Sequence, residues 1–142
     1  MTVKLTSEEL NYIALFEGVT HARVKDCVIE EDGSLVTFVV NEGDIGLAIG
    51  KGGSNVKRVR NMIGRSVGVV EYSEDPVKFL KNALLPAKVK SVEISEQEGK
   101  RVATAVVDIM DKRLVLGRKR RKLLNAKKLA QRHHQVNDIV VK

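Results

Sequence analysis

A chain of 142 residues with 43% hydrophobic content can build one ordinary domain or two small ones with modest cores, which excludes a disordered chain. The net charge of +7 and a pI near 9.6 point to a polyanionic partner. A single cysteine, Cys27, and three scattered histidines exclude an internal disulfide and a zinc cluster, and short apolar runs exclude a membrane span.

The first predicted element is a helix opened by Thr6-Ser7-Glu8-Glu9, where hydroxyls cap and acids suit the positive end of the dipole. Leu10, Ile13, Ala14 and Phe16 continue it to Gly18. Ala22–Ile29 and Leu35–Val40 are rich in β-branched residues and are joined by Glu31-Asp32-Gly33-Ser34, which predicts a hairpin with Cys27 an inert strand residue. Asp44–Ile49 reads as a short helix, Gly50-Lys51-Gly52-Gly53 as a loop, Ser54–Ile63 as a second helix and Val67–Tyr72 as a strand. Pro76 starts a further helix to Leu85, capped by Ser73 or Asp75. Strands near Val89–Ile94 and Arg101–Val107, a helix from Arg121 to about Arg132 and a strand Asp138–Val141 complete the chain.

The second half repeats the first at a shift of 67 residues: Val39-Val40 matches Val106-Val107, Asp44 matches Asp111, Leu47 matches Leu114, Ile49-Gly50 matches Leu116-Gly117 and Val56 matches Leu123. Each half therefore reads helix, strand, strand, helix, helix, strand. This is an α+β fold of two similar domains, 1–75 and 76–142, with no Gly- or Ser-rich linker between them. Charge is divided unequally. Residues 1–75 carry 8 Lys and Arg against 12 Asp and Glu, whereas 76–142 carry 17 against 6. Even in the acidic half, Ile45–Val70 holds Lys51, Lys57, Arg58, Arg60 and Arg65 without a carboxylate.

That cationic stretch surrounds Gly50-Lys51-Gly52-Gly53, a G-x-x-G loop between helices that lets backbone approach a nucleic-acid strand closely. N–H groups at Ser54, Asn55 and Val56 favour phosphate at the next helix start, with Lys51 as a mobile cation and Lys57, Arg58 and Arg60 extending the track. Ile49 and Val56 would line a groove for the bases. Two other glycine-rich readings fail. Gly46-Leu47-Ala48-Ile49-Gly50-Lys51 is one residue short of a phosphate-binding P-loop and is followed by Gly52, so no hydroxyl is left for magnesium. A dinucleotide-binding turn needs a preceding strand, and here a helix leads in.

Three segments carry a resemblance to a known family: Glu42 through Val56, Val24-Lys25-Asp26-Cys27, and the joint Asp75-Pro76-Val77-Lys78-Phe79-Leu80-Lys81-Asn82-Ala83-Leu84-Leu85-Pro86-Ala87. Together they resemble the archaeal NusA-like family, with two tandem type II KH domains, each α-β-β-α-α-β with a three-stranded sheet packed by helices. The joint is the more specific part, because many KH proteins share the loop segment. The resemblance implies binding of single-stranded RNA during transcription elongation or termination, with RNA polymerase or the elongation complex as the setting. Bacterial relatives add a polymerase-binding domain and an S1 domain, for which 142 residues leave no room.

The second loop departs from the pattern, since Gly117-Arg118-Lys119-Arg120 ends in arginine. If that position needs a positive φ, arginine there costs on the order of 1 kcal/mol. Arg118, Lys119, Arg120, Arg121 and Lys122 form a dense cationic cluster, expected to hold phosphate by side chains without sequence readout. The RNA-binding residues expected are thus Ile49, Gly50, Lys51, Gly52, Gly53, Ser54, Asn55, Lys57 and Arg58, with Gly117 and those five cations. No catalytic residue, metal or cofactor is expected. Glu42, Asp44, Asp108 and Asp111 could suggest metal-dependent hydrolysis, but Asp44 and Asp111 recur at equivalent places and more simply cap short helices. Tyr12, Phe16, Phe38, Tyr72 and Phe79 fall at apolar positions and read as core, and His133-His134 as a polar helix end. Low aromatic content disfavours folds that stack bases on exposed rings. A KH protein of the ribosome or its assembly is the alternative. Met1-Thr2-Val3-Lys4 begins no leader, so a cytoplasmic monomer is the default expectation.

Overall fold

A computed structural model describes residues 4–142, leaving the first three residues of the expected leader test and the side chains of Arg118 and Lys119 outside the described residues. The chain forms two compact units that divide between Ser73 and Glu74. Each contains a three-stranded sheet, ordered β1-β2-β3 in the first and β4-β5-β6 in the second.

The first unit opens with α1 (Ser7–Thr20). Thr6 caps it by accepting from the Glu9 N–H while the Glu9 carboxylate accepts from the Thr6 N–H, a reciprocal capping box that contributes about 1 kcal/mol. The helix passes through Gly18 and ends at His21, in the left-handed region at φ 63°. Strands β1 (Val24–Ile29) and β2 (Leu35–Val40) pair antiparallel. A crossover through α2 (Ile45–Ile49), a 3₁₀ turn Lys51–Gly53 and α3 (Ser54–Ile63) then brings β3 (Ser66–Glu71) parallel to β2. The core joins α1, the sheet and both crossover helices through Phe16, Cys27, Val36, Phe38, Val40, Ala48 and Val59. Phe16 and Phe38 stack with centroids 4.3 Å apart.

The second unit opens with α4 (Pro76–Ala83), capped by Asp75, whose carboxylate accepts from the Val77 N–H at 3.0 Å. Strands β4 (Val89–Gln97) and β5 (Lys100–Val107) are antiparallel, and β6 (Asp138–Val141) runs parallel to β5. The crossover consists of a 3₁₀ turn Ile109–Asp111 and α5 (Lys112–His134). Sequence reasoning expects two helices here, and the structure assigns one helical span over 23 residues. Arg120 within it nevertheless has φ 58°. A right-handed helix cannot continue through a left-handed residue, so the span bends there. Phe79, Leu80, Leu84, Ala103, Ala105, Val115, Leu129 and Val136 are buried in this unit.

Similar irregularities recur in the two units. The ladder shifts register at Val24/Asp26 in the first and at Val89/Ser91 in the second, placing a bulge at Lys25 and at Lys90. The expected helix caps Asp44 and Asp111 need correction. Neither makes a side-chain cap bond to its own helix. Asp44 Oδ2 instead accepts from the Arg23 N–H at 2.9 Å and Asp111 Oδ2 from the Lys88 N–H at 2.8 Å, each tying a crossover to the residue before the first strand.

The aromatic residues divide. Phe16, Phe38 and Phe79 are fully buried, as expected of core. Tyr12 and Tyr72 are half-buried and meet cations, with Arg65 5.8 Å and Lys25 4.4 Å from the ring centroids. His133 and His134 end α5 with their rings 5.6 and 5.2 Å from Phe79.

Candidate nucleic-acid interface

The first loop is held from beneath. Gly50 has φ 76° and ψ 170°, a conformation that only glycine adopts readily. A Cβ at Gly50 would lie 2.8 Å from the Asn55 backbone nitrogen and 2.9 Å from Ser54 Oγ, so space as well as conformation requires glycine. The Asn55 amide donates to the Leu47 carbonyl at 2.8 Å, latching the end of α2 to the start of α3 across the loop. Asn55, expected to contact RNA, therefore has one of its amide N–H donors engaged in holding the loop.

Above this latch, Lys51 and Gly52 are exposed and Gly53 takes φ 79° as the residue before α3. Ser54 is exposed, but its N–H donates to the Lys51 carbonyl, so of the three expected phosphate donors this one closes the 3₁₀ turn. Lys57 folds back over the loop, and a Cβ on Gly53 would lie 3.8 Å from its Cε. Lys57 and Arg58 are exposed on the first turns of α3, and Ile49 and Val56 are half-buried beside the loop. The arrangement offers a bare backbone edge, the positive end of a ten-residue helix and three cations.

Sequence reasoning missed Leu47. It lies on α2 next to the loop and is 49% exposed, while Leu114 at the equivalent place is 48% exposed. Helical spacing turns Ala48 inward and Leu47 outward, so an apolar residue on the wet side in both halves was the available signal.

The second loop is built differently. Gly117 has no positive φ, and a Cβ there would meet nothing within 4 Å. Arg120 carries the left-handed bend and is exposed, and Arg121 and Lys122 are half-buried. Lys122 stands where Asn55 stands in the first unit, and burial lowers the pKa of its ammonium. Arg118 and Lys119, named among the expected contacts, have side chains outside the described residues.

Among the described residues, no group of three or more His, Cys, Asp and Glu is placed to hold a metal ion, and no helix is long and apolar enough to cross a membrane.

A family model described as "KH domain" matches residues 11–99. The chain is 37% identical over 139 residues to "Probable transcription termination protein NusA" of Methanocaldococcus jannaschii, covering 98% of this chain and 75% of that one. It is 40% identical over 139 residues to the protein of the same description from Halobacterium salinarum, covering 98% of both. The crystal structure of APE1850 superposes with a TM-score of 0.82 at 30% identity, covering 97% of this chain and all of that one.

Proposed function

Because this chain belongs to the archaeal NusA family of KH-domain proteins, we propose that it is an RNA-binding transcription termination factor made of two tandem type II KH domains. In this reading the first domain, 1–75, reads single-stranded RNA and the second, 76–142, adds electrostatic grip. One observation carries it: the Gly50–Gly53 loop is a backbone surface kept open by Gly50 and latched by Asn55, flanked by Lys51, Lys57 and Arg58. The Gly50, Gly53 and Ser54 N–H groups close internal turns, so what the loop offers is a glycine backbone that a strand can approach closely beside a helix N-terminus. That suits the sugar-phosphate chain of a splayed strand and leaves base edges available for reading.

In the second domain, Arg120, Arg121 and Lys122, with Arg118 and Lys119, replace backbone by side-chain cations. Side-chain cations hold phosphate without fixing the strand as closely, so this domain contributes affinity more than sequence preference. The chain is non-enzymatic in this reading, and its RNA work takes place with the transcription machinery.

The test is titration of short single-stranded RNA, with duplex RNA and single-stranded DNA as competitors, across a salt series. Wild-type protein discriminates among sequences, and Lys51→Asp/Gly52→Asp loses that binding while keeping its circular dichroism spectrum. Equal binding by both proteins, weakened only by salt, would make the first loop structural and remove the mechanism.

A further inference from the structure

The cationic character of α5 extends well past the loop. From Lys112 to Asn137 the sequence holds no Asp or Glu. Beyond the bend at Arg120 the helix continues to His134, about four more turns. Its inner side buries Leu123, Ala126, Leu129 and Ala130. Its outer side exposes Leu124, at 55%, with Lys128 and Gln131, spaced to form one line along the helix. Lys127 beside this line is held by Asp138 at 3.0 Å, which pairs that carboxylate with a cation.

The line ends at an open hollow of about 630 Å³ between the tip of the β4–β5 hairpin and the start of β6. Gln131 reaches its wall, which also includes Gln97, Lys100 and Asn137, with Glu98 and Asp138. The first unit is built shorter at both places. Its α3 has ten residues, and β1 and β2 have six each against nine and eight in β4 and β5. The second unit has thus extended a helix and a hairpin that together frame a polar surface.

We propose that the outer face of α5 from Leu124 to Gln131, with the hollow at its end, binds the sugar-phosphate backbone of a longer RNA strand beyond the nucleotides at the Gly117–Arg121 bend. Lys128 meets a phosphate, and Leu124 packs on a ribose or base face. The Gln131 amide hydrogen-bonds a ribose 2′-hydroxyl, since an amide offers both donor and acceptor to a group that is itself both. Asn137 Oδ1 already accepts from the Arg101 N–H and Gln97 Nε2 already donates to Ser95 Oγ, so Asn137 contributes as a donor and Gln97 as an acceptor. These groups recognise sugar and phosphate, so the surface is tolerant of sequence and favours RNA over DNA. The inference rests on the RNA-binding reading above and adds a site outside both loops.

The experiment compares single-stranded RNAs of about six and about twenty nucleotides, and the DNA equivalent of the longer one, on the full chain at physiological salt, where charges beyond about 8 Å are largely screened. The variant is Lys128→Glu/Gln131→Ala, two exposed positions whose change leaves the core intact. It is expected to weaken the long RNA about tenfold, to leave the short RNA unchanged and to erase part of the RNA-over-DNA preference. No loss with the long RNA, or equal loss with both lengths, overturns the proposal. Lys51→Asp/Gly52→Asp serves as the separate control: if it leaves short-RNA binding intact, the loop reading fails while the length comparison keeps its own outcome.

Discussion

Gly53 and Arg120, 67 positions apart, occupy the same left-handed bend, with φ 79° and 58°. The second unit makes this bend with an arginine, without the glycine that makes it easy. Arg120→Gly should therefore raise stability by about 1 kcal/mol, seen as a higher denaturant midpoint. The same variant tests the cationic role, since removing Arg120 should weaken RNA binding; unchanged affinity and base preference would count against phosphate contact there.

Gly50 and Gly117 align but are not equivalent. Gly50→Ala places a methyl against the Asn55 backbone at 2.8 Å and should cost about 2–3 kcal/mol, with loss of short-RNA affinity. Gly117 lies within a helix with open space around it, so Gly117→Ala should be neutral or stabilise by up to about 1 kcal/mol. Denaturation of both variants reads the contrast directly.

Asp44→Ala and Asp111→Ala should each cost about 1–2 kcal/mol, because each removes the charged acceptor that fastens a crossover to the start of its sheet. The same acids have no part in hydrolysis in this reading. RNA incubated with the wild type and magnesium or manganese should stay intact on a denaturing gel.

Asp138 accepts from the Lys127 ammonium, and that bond outweighs the opposing cost of burial and, with the Ile139 N–H and nearby positive charge, holds its carboxyl below the ordinary range. A carboxyl depressed in the folded state stabilises above its unfolded pKa and loses that contribution as pH falls through the folded one. The pair is half-exposed, so the effect is small and weakens with salt. Carboxyl NMR titration should find Asp138 below the usual aspartate range in the wild type and closer to it in Lys127→Ala.

The element order of the first unit, the hairpins, the helix opening at Pro76 and the turn at Gly50–Gly53 were legible because periodicity, turn residues and glycine spacing all act locally, whereas the two helices expected in the second crossover form one span. The shift of 67 matches residues only from β2 onward, for a physical reason. Val24 corresponds to Val89 and Val40 to Val107, so the second hairpin carries two more residues and the register upstream moves by two. The work of Asp44 and Asp111 was not legible, since their partners Arg23 and Lys88 lie more than twenty residues away along the chain. Nor was the Asn55 latch, because an asparagine at the start of a helix looks equally suited to RNA. The left-handed state of Arg120 was foreseen only conditionally, from the glycine it replaces.

Parallel pairing of β2 with β3 has a last consequence for how the first loop works when isolated from its surroundings. Leu35 pairs with Ser66 and Val40 with Glu71, so both ends of the segment carrying the loop are anchored in neighbouring strands before any ligand arrives. The entropy of closing that segment is spent in folding rather than in binding. A synthetic peptide copying residues 42–60 would have the same glycines and cations yet would have to order itself at the moment of contact. Its affinity should fall far short of the intact chain's, and joining its ends chemically should recover part of the difference.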